Sequence, residues 1–74
     1  MLYTNNKNLI LHIRQQMLAD EVSVTELSSR LGKTRGATSM LFSRGNLSVT
    51  TLYEIANALD YDLEINLIPR QKQE

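Results

Sequence analysis

Three residues, Gly32-Lys33-Thr34, separate two stretches that each carry the marks of a helix, and no other feature narrows the possible folds of this chain so far. Upstream, Ser23-Val24-Thr25-Glu26 forms a capping box: the serine hydroxyl accepts from the amide three residues on, and the glutamate is placed to answer the serine's own amide. The helix it starts is expected over residues 24–31, with Leu27 and Leu31 turned inward and Ser28 as a small contact residue. Gly32 ends it, because glycine enters the left-handed conformation without steric cost. Thr34 then caps a further helix over residues 35–43. Two helices joined by so short a turn make a helix-turn-helix.

Helical signals also flank this unit. Leu9, Ile10, Ile13 and Met17 recur at the spacing of one helix face, so a first helix is expected over residues 6–19, capped by Thr4 or Asn5. Leu11 and Leu18 lie on a second flank of that helix and need a cover of their own. Ser48 caps a last helix over residues 49–59, with Leu52, Ile55, Ala56 and Leu59 as its core stripe and Asp60 at the stop position.

Beyond Asp60 the period changes. Leu63, Ile65 and Leu67 alternate with Asp62, Glu64 and Asn66 until Pro69, which predicts a strand over residues 62–68 followed by a polar tail over residues 70–74. The expected class is therefore mainly α, a single domain of four helices with one C-terminal strand. A lone strand has backbone groups in need of partners, and two arrangements are open: pairing with the same strand of a second copy across a two-fold axis, or an extension that packs on its own domain. Its apolar face is expected to rest on Leu11 and Leu18.

A chain of 74 residues makes one domain and buries only about 60% of the surface its unfolded form exposes, so its stability margin is thin. Without cysteine there is no disulfide framework or thiolate metal site, and His12 alone cannot build a zinc site, so no metal or cofactor is implied. The N-terminal stretch has neither a sustained apolar run nor a small-residue cleavage site, and a cytoplasmic protein with no membrane span is expected. Gly32, Gly36 and Gly45 lack the spacing of a phosphate-cradling loop, and His12 has no carboxylate triad around it, so an enzyme is not expected.

Lysine and arginine balance aspartate and glutamate at eight each, yet the charges are not evenly spread. Between Glu26 and Glu54 there is no acidic residue, while Arg30, Lys33, Arg35 and Arg44 fall inside that interval. A local basic patch on a neutral chain is the pattern of a face that meets phosphate.

These features converge on one stretch. From Ser23 to Asp60, SVTELSSRLGKTRGATSMLFSRGNLSVTTLYEIANALD resembles the lambda repressor and Cro-like helix-turn-helix proteins, the XRE family, in Leu27, the small Ser28, Leu31-Gly32, the capping Thr34, Leu41, the loop Gly45 and the segment TLYEIANAL. The resemblance covers about half of the chain and implies a lambda repressor-like four-helix domain, commonly dimeric, whose third helix enters the major groove of double-stranded DNA. It implies base-facing positions at Thr34, Arg35, Gly36, Ser39 and Met40. The C-terminal strand is similar to that of Hip-type antitoxins and small phage or plasmid regulators, in which strands of two subunits pair; here Leu63, Ile65 and Leu67 would form that dimer strand. The chain departs from the family at Val24, where a phosphate-binding glutamine is common, at Thr38, where an aliphatic residue is usual, and in the distance from Gly32 to Gly45, which is longer by one residue.

On this reading Arg35 pairs bidentately with guanine, contacts phosphate, or stays free; Gly36 either admits a close approach to DNA or is a tolerated glycine near a helix start. Met40 touches a thymine methyl or joins the core, and Leu41 and Phe42 anchor the helix. Arg30, Lys33, Ser43, Arg44 and Asn46 are the phosphate candidates. The function expected is that of a sequence-specific DNA-binding transcriptional regulator, a homodimeric repressor on an inverted-repeat operator. The alternative is a protein-binding helix-turn-helix module, such as an antitoxin with a toxin partner or a phage-encoded inhibitor of a host or CRISPR enzyme.

Overall fold

The computed structural model describes residues 1–71 and contains α1 (Asn6–Ala19), α2 (Val24–Leu31), α3 (Arg35–Arg44) and α4 (Val49–Ala58). Each helix begins at a short polar side chain that takes up an otherwise unpaired amide: Asn5 accepts from Asn8, Ser23 from Glu26, Thr34 from Ala37 and Ser48 from Thr51. The N-cap of α1 is thus Asn5, while Thr4 Oγ1 accepts instead from the Asn8 side chain at 2.8 Å. The expected reciprocal half of the capping box is replaced by an ion pair, since the Glu26 carboxylate turns to Arg30 at 3.3 Å.

The helix ends share a device. After α2, Gly32 is left-handed at φ 68° and the Lys33 amide reaches back to the Ser28 carbonyl at 2.9 Å. The same wrap closes α1, where Glu21 is left-handed at φ 58° and Val22 donates to Met17 at 2.8 Å. It also closes α4, where Asp60 is left-handed at φ 64° and Tyr61 donates to Ala56 at 2.8 Å. Gly45, at φ 70°, closes α3 with a single bond to Leu41.

Leu27 of α2 is fully buried at the centre of a cluster formed by Ile10, Ile13 and Met17 of α1, Phe42 of α3, Ile55 of α4 and Leu59. The short α2 packs on both α3 and α4. Eight residues make a marginal helix in water, and this tertiary packing is what holds α2. Leu31 and Leu41, expected to be buried and anchoring, are half-buried; Leu31 touches the cluster, whereas Leu41 is not among its members.

The C-terminal expectation is corrected. Residues 62–68 form no strand, and no strand occurs among the described residues. A strand is defined by its ladder, and the chain offers this segment no neighbour to pair with. Nor does the segment pack on its own helices: Leu63 is half-buried, but Ile65 and Ile68 are exposed and Leu67 is 97% exposed. Leu11 and Leu18, its expected seat, are exposed as well. The described residues extend over 51 Å with a radius of gyration of 14.0 Å, against about 11 Å for a chain of this length packed into one body. The part of the expected polar tail beyond residue 71 lies outside the described residues. No helix among the described residues is long and apolar enough to cross a membrane.

Candidate nucleic-acid interface

α3 divides into two faces. Thr38 and Phe42, one turn apart, point inward and are buried, and Lys33, Thr34, Arg35, Gly36, Ala37, Ser39, Met40, Ser43 and Arg44 are exposed. Met40, 46% exposed, therefore belongs to the outer face and not to the core.

The inward face is fixed by two different contacts. Thr38 has no exposed surface, and its hydroxyl lies 2.8 Å from the Ser28 hydroxyl of α2. Each hydroxyl is also in reach of a backbone carbonyl, Ser28 of Val24 at 2.7 Å and Thr38 of Thr34 at 3.3 Å. The Ser28 hydroxyl is the reason a threonine can be buried here, since a buried hydroxyl without a partner is costly. Farther along, the Phe42 ring lies under the Arg14 guanidinium of α1, 5.4 Å from its centroid, which braces the second half of α3 by a cation–π contact.

At its start, α3 presents backbone amides without intrahelical partners and the positive end of its macrodipole. Thr34 Oγ1 already accepts from the Ala37 amide at 3.1 Å, leaving its hydroxyl proton to donate outward. Gly36 has an ordinary helical backbone, and an added Cβ would meet nothing within 4 Å. Nothing inside the chain therefore requires glycine there, although in an exposed helix interior it costs about 1 kcal/mol relative to alanine.

The phosphate candidates fall into two groups. Lys33, Ser43, Arg44 and Asn46 lie exposed on or beside α3. Arg30 does not join them: besides its pair with Glu26, its guanidinium donates to the Ala58 carbonyl at the end of α4, 3.0 Å away. It thus ties α2 to α4, on the side of α2 away from the Ser28 contact. The Arg30–Glu26 pair is the only ion pair among the described residues, so Lys33, Arg35 and Arg44 face solvent without a carboxylate partner.

Three residues outside the helix-turn-helix prove important to the placement of α3 and its surroundings. Arg14 has just been described. Asn6, at the start of α1, donates through its side-chain amide to the Gly45 carbonyl at 2.7 Å and so fixes the loop that leaves α3. Tyr61 donates to the Asp20 carboxylate, with the Gln16 side-chain amide 3.2 Å from the same hydroxyl, joining the end of α4 to the end of α1. The bond to Asp20 pushes the Tyr61 phenol above its ordinary pKa, with desolvation and the charge of Asp20 acting in the same direction. None of these long-range bonds has a local sequence signal.

No group of three or more potential metal-ligating residues occurs among the described residues. No family model, curated protein or solved structure matches this chain.

Proposed function

We propose that this chain is a sequence-specific DNA-binding regulator of the lambda repressor-like class, acting as a homodimeric repressor on an inverted repeat whose half-sites lie about one helical turn apart. The observation that carries the reading is the outer face of α3 and the turn before it: three cations with no carboxylate partner among the described residues, hydroxyl donors at Thr34 and Ser39, and an unforced glycine, on a helix seated through Thr38 and Phe42. Arg35 in the first turn reads guanine, and Met40 meets a thymine methyl. Lys33, Arg44 and Asn46 hold phosphate and set affinity without sequence information. Such a chain represses by occupying its operator.

The two copies meet through the C-terminal segment, whose backbone lacks ladder partners within one chain and whose Ile65, Leu67 and Ile68 are exposed. Capture of genomic fragments on the purified protein, followed by sequencing, should return a common inverted repeat. On that repeat Arg35→Ala should weaken binding by about 1–3 kcal/mol with the helical content unchanged; equal operator affinity would remove Arg35 from the reading role.

One observation favours a second reading, that of a protein-binding module such as an antitoxin: Leu11 and Leu18 leave an apolar stripe uncovered on α1. The salt response separates the two. DNA affinity falls steeply and linearly on logarithmic axes as salt rises, whereas association through an apolar surface does not.

A further inference from the structure

Beside the outer face of α3, a groove of about 460 Å³ runs between the first turn of α1 and the last turn of α3. Its floor contains the buried Ile10 and Phe42, and its rim carries Lys7 and Arg44, with Asn6 and Ser43 beside them. The bond from Asn6 to the Gly45 carbonyl ties the two sides of the groove together, so the backbone positions that carry Lys7 and Arg44 are set side by side by the fold.

Two features make this rim unfavourable for the isolated chain. Neither α1 nor α3 contains an acidic residue, so the charges of Lys7 and Arg44 have no carboxylate on either wall. Lys7 also sits in the first turn of α1, where the helix macrodipole is already positive and no acidic side chain offsets it. A cation placed against a helix dipole, on a groove that a second cation also lines and no carboxylate offsets, is a local conflict that a bound anion relieves. The groove continues the exposed surface of α3 through Ser43 and Arg44, so that anion lies along the backbone of whatever duplex α3 contacts.

We propose that Lys7 and Arg44 each hold one of two adjacent phosphodiesters of duplex DNA at the edge of the footprint, beside the groove between α1 and α3. The inference rests on the DNA-binding reading above and adds α1 to the interface. Lys7 is exposed and makes no ion pair among the described residues, so its replacement leaves the core untouched.

The test uses the whole chain and a mixed-sequence duplex about 30 bp long, with affinity measured over a series of salt concentrations. Each phosphate neutralised contributes about 0.9 to the slope of log affinity against log salt, so Lys7→Gln should flatten the slope by about that amount and Lys7→Arg should restore it. Over a fourfold rise in salt, the wild-type chain should lose about 3.5-fold more affinity than Lys7→Gln. If Lys7→Gln keeps the wild-type slope while the wild-type chain binds the duplex, the paired contact is overturned and the DNA reading stands. If the wild-type chain binds no duplex at low salt, the DNA reading itself fails and the paired contact falls with it. Far-UV circular dichroism of both variants checks that the fold is retained.

Discussion

α3, announced by its Thr34 cap, and the C-terminal segment, announced by its alternation, both carry a local sequence signal, yet only α3 takes the structure its signal announces. The period of α3 places Thr38 and Phe42 on one face, and the chain itself provides what that face needs: the Ser28 hydroxyl, the Arg14 guanidinium and the cluster around Leu27. The period of residues 62–68 is clear, but the other half of a ladder is missing from a single chain, and Leu67 ends almost wholly in solvent. A periodic pattern states which face seeks burial. Whether it is buried depends on a partner that the pattern does not name.

The sharpest way to break this comparison is to remove an apolar side chain from each region. Leu27→Ala should cost about 2–5 kcal/mol, because it deletes the centre of the cluster and leaves a cavity. For a domain of this size that is a large part of the total stability. Leu67→Ala should stay within about 0.5 kcal/mol. Urea denaturation at a concentration low enough to keep the chains single measures both, and a comparable loss at Leu67 would mean that the segment packs on its own domain after all.

Ile65→Pro probes the same segment at higher concentration. Proline removes an amide from any ladder, so a dimer held by this segment should dissociate in sedimentation while the far-UV signal of the helices is unchanged. A variant that still sediments as a dimer places the contact elsewhere, with the exposed Leu11 and Leu18 of α1 as the next surface to substitute.

What the sequence made legible follows the same division. The N-caps at Ser23, Thr34 and Ser48 are readable because donor and acceptor lie three residues apart, and the glycine ends at Gly32 and Gly45 because a left-handed turn favours glycine. Glu21 adopts the same left-handed conformation, but glutamate gives no sign of it. Of the candidate site, Thr34, Arg35, Gly36, Ser39 and Met40 were indicated by the resemblance of residues 23–60 and not by a periodic pattern, and all five are exposed. The Arg30 link to Ala58, the Asn6 link to Gly45 and the Arg14 contact with Phe42 were not, since they join residues far apart in sequence and exist only after the helices have packed. The segment after Asp60 was misread for the converse reason: its local signal was strong and its partner was absent.

A smaller effect is expected where two polar groups have been buried together. Thr38→Val leaves Ser28 its bond to the Val24 carbonyl, and Ser28→Ala leaves Thr38 its longer bond to Thr34, so each single change should cost about 1 kcal/mol. In the double variant the two costs should not add, with a coupling of about 0.5–1.5 kcal/mol, because no buried hydroxyl is left in want of its neighbour. Strict additivity would show that the two hydroxyls do not depend on each other and that α3 is seated by Phe42 alone.

The smallest effect lies at the junction between the two regions. Tyr61 is the residue at which the chain leaves the helical body, and its phenol holds that point to α1 through Asp20 and Gln16. The phenol is a proton donor to a carboxylate, so its pKa is raised in the folded chain above the ordinary value of 10.0. A raised folded pKa means that the unfolded chain loses this proton first. The contribution is complete below about pH 10 and declines as pH rises through the folded value, where both states are ionised and the phenolate meets the Asp20 carboxylate. Tyr61→Phe lacks the group, so the stability gap between wild type and variant should narrow in alkaline solution and stay constant between about pH 7 and pH 9. Thermal unfolding from about pH 7 to above about pH 10 reads it directly, and a gap that stays parallel through the alkaline region would show that the phenol does not hold the junction. Because the contact is exposed to water, its loss should leave α1 and α4 in place and alter only how firmly the C-terminal segment is tied to them.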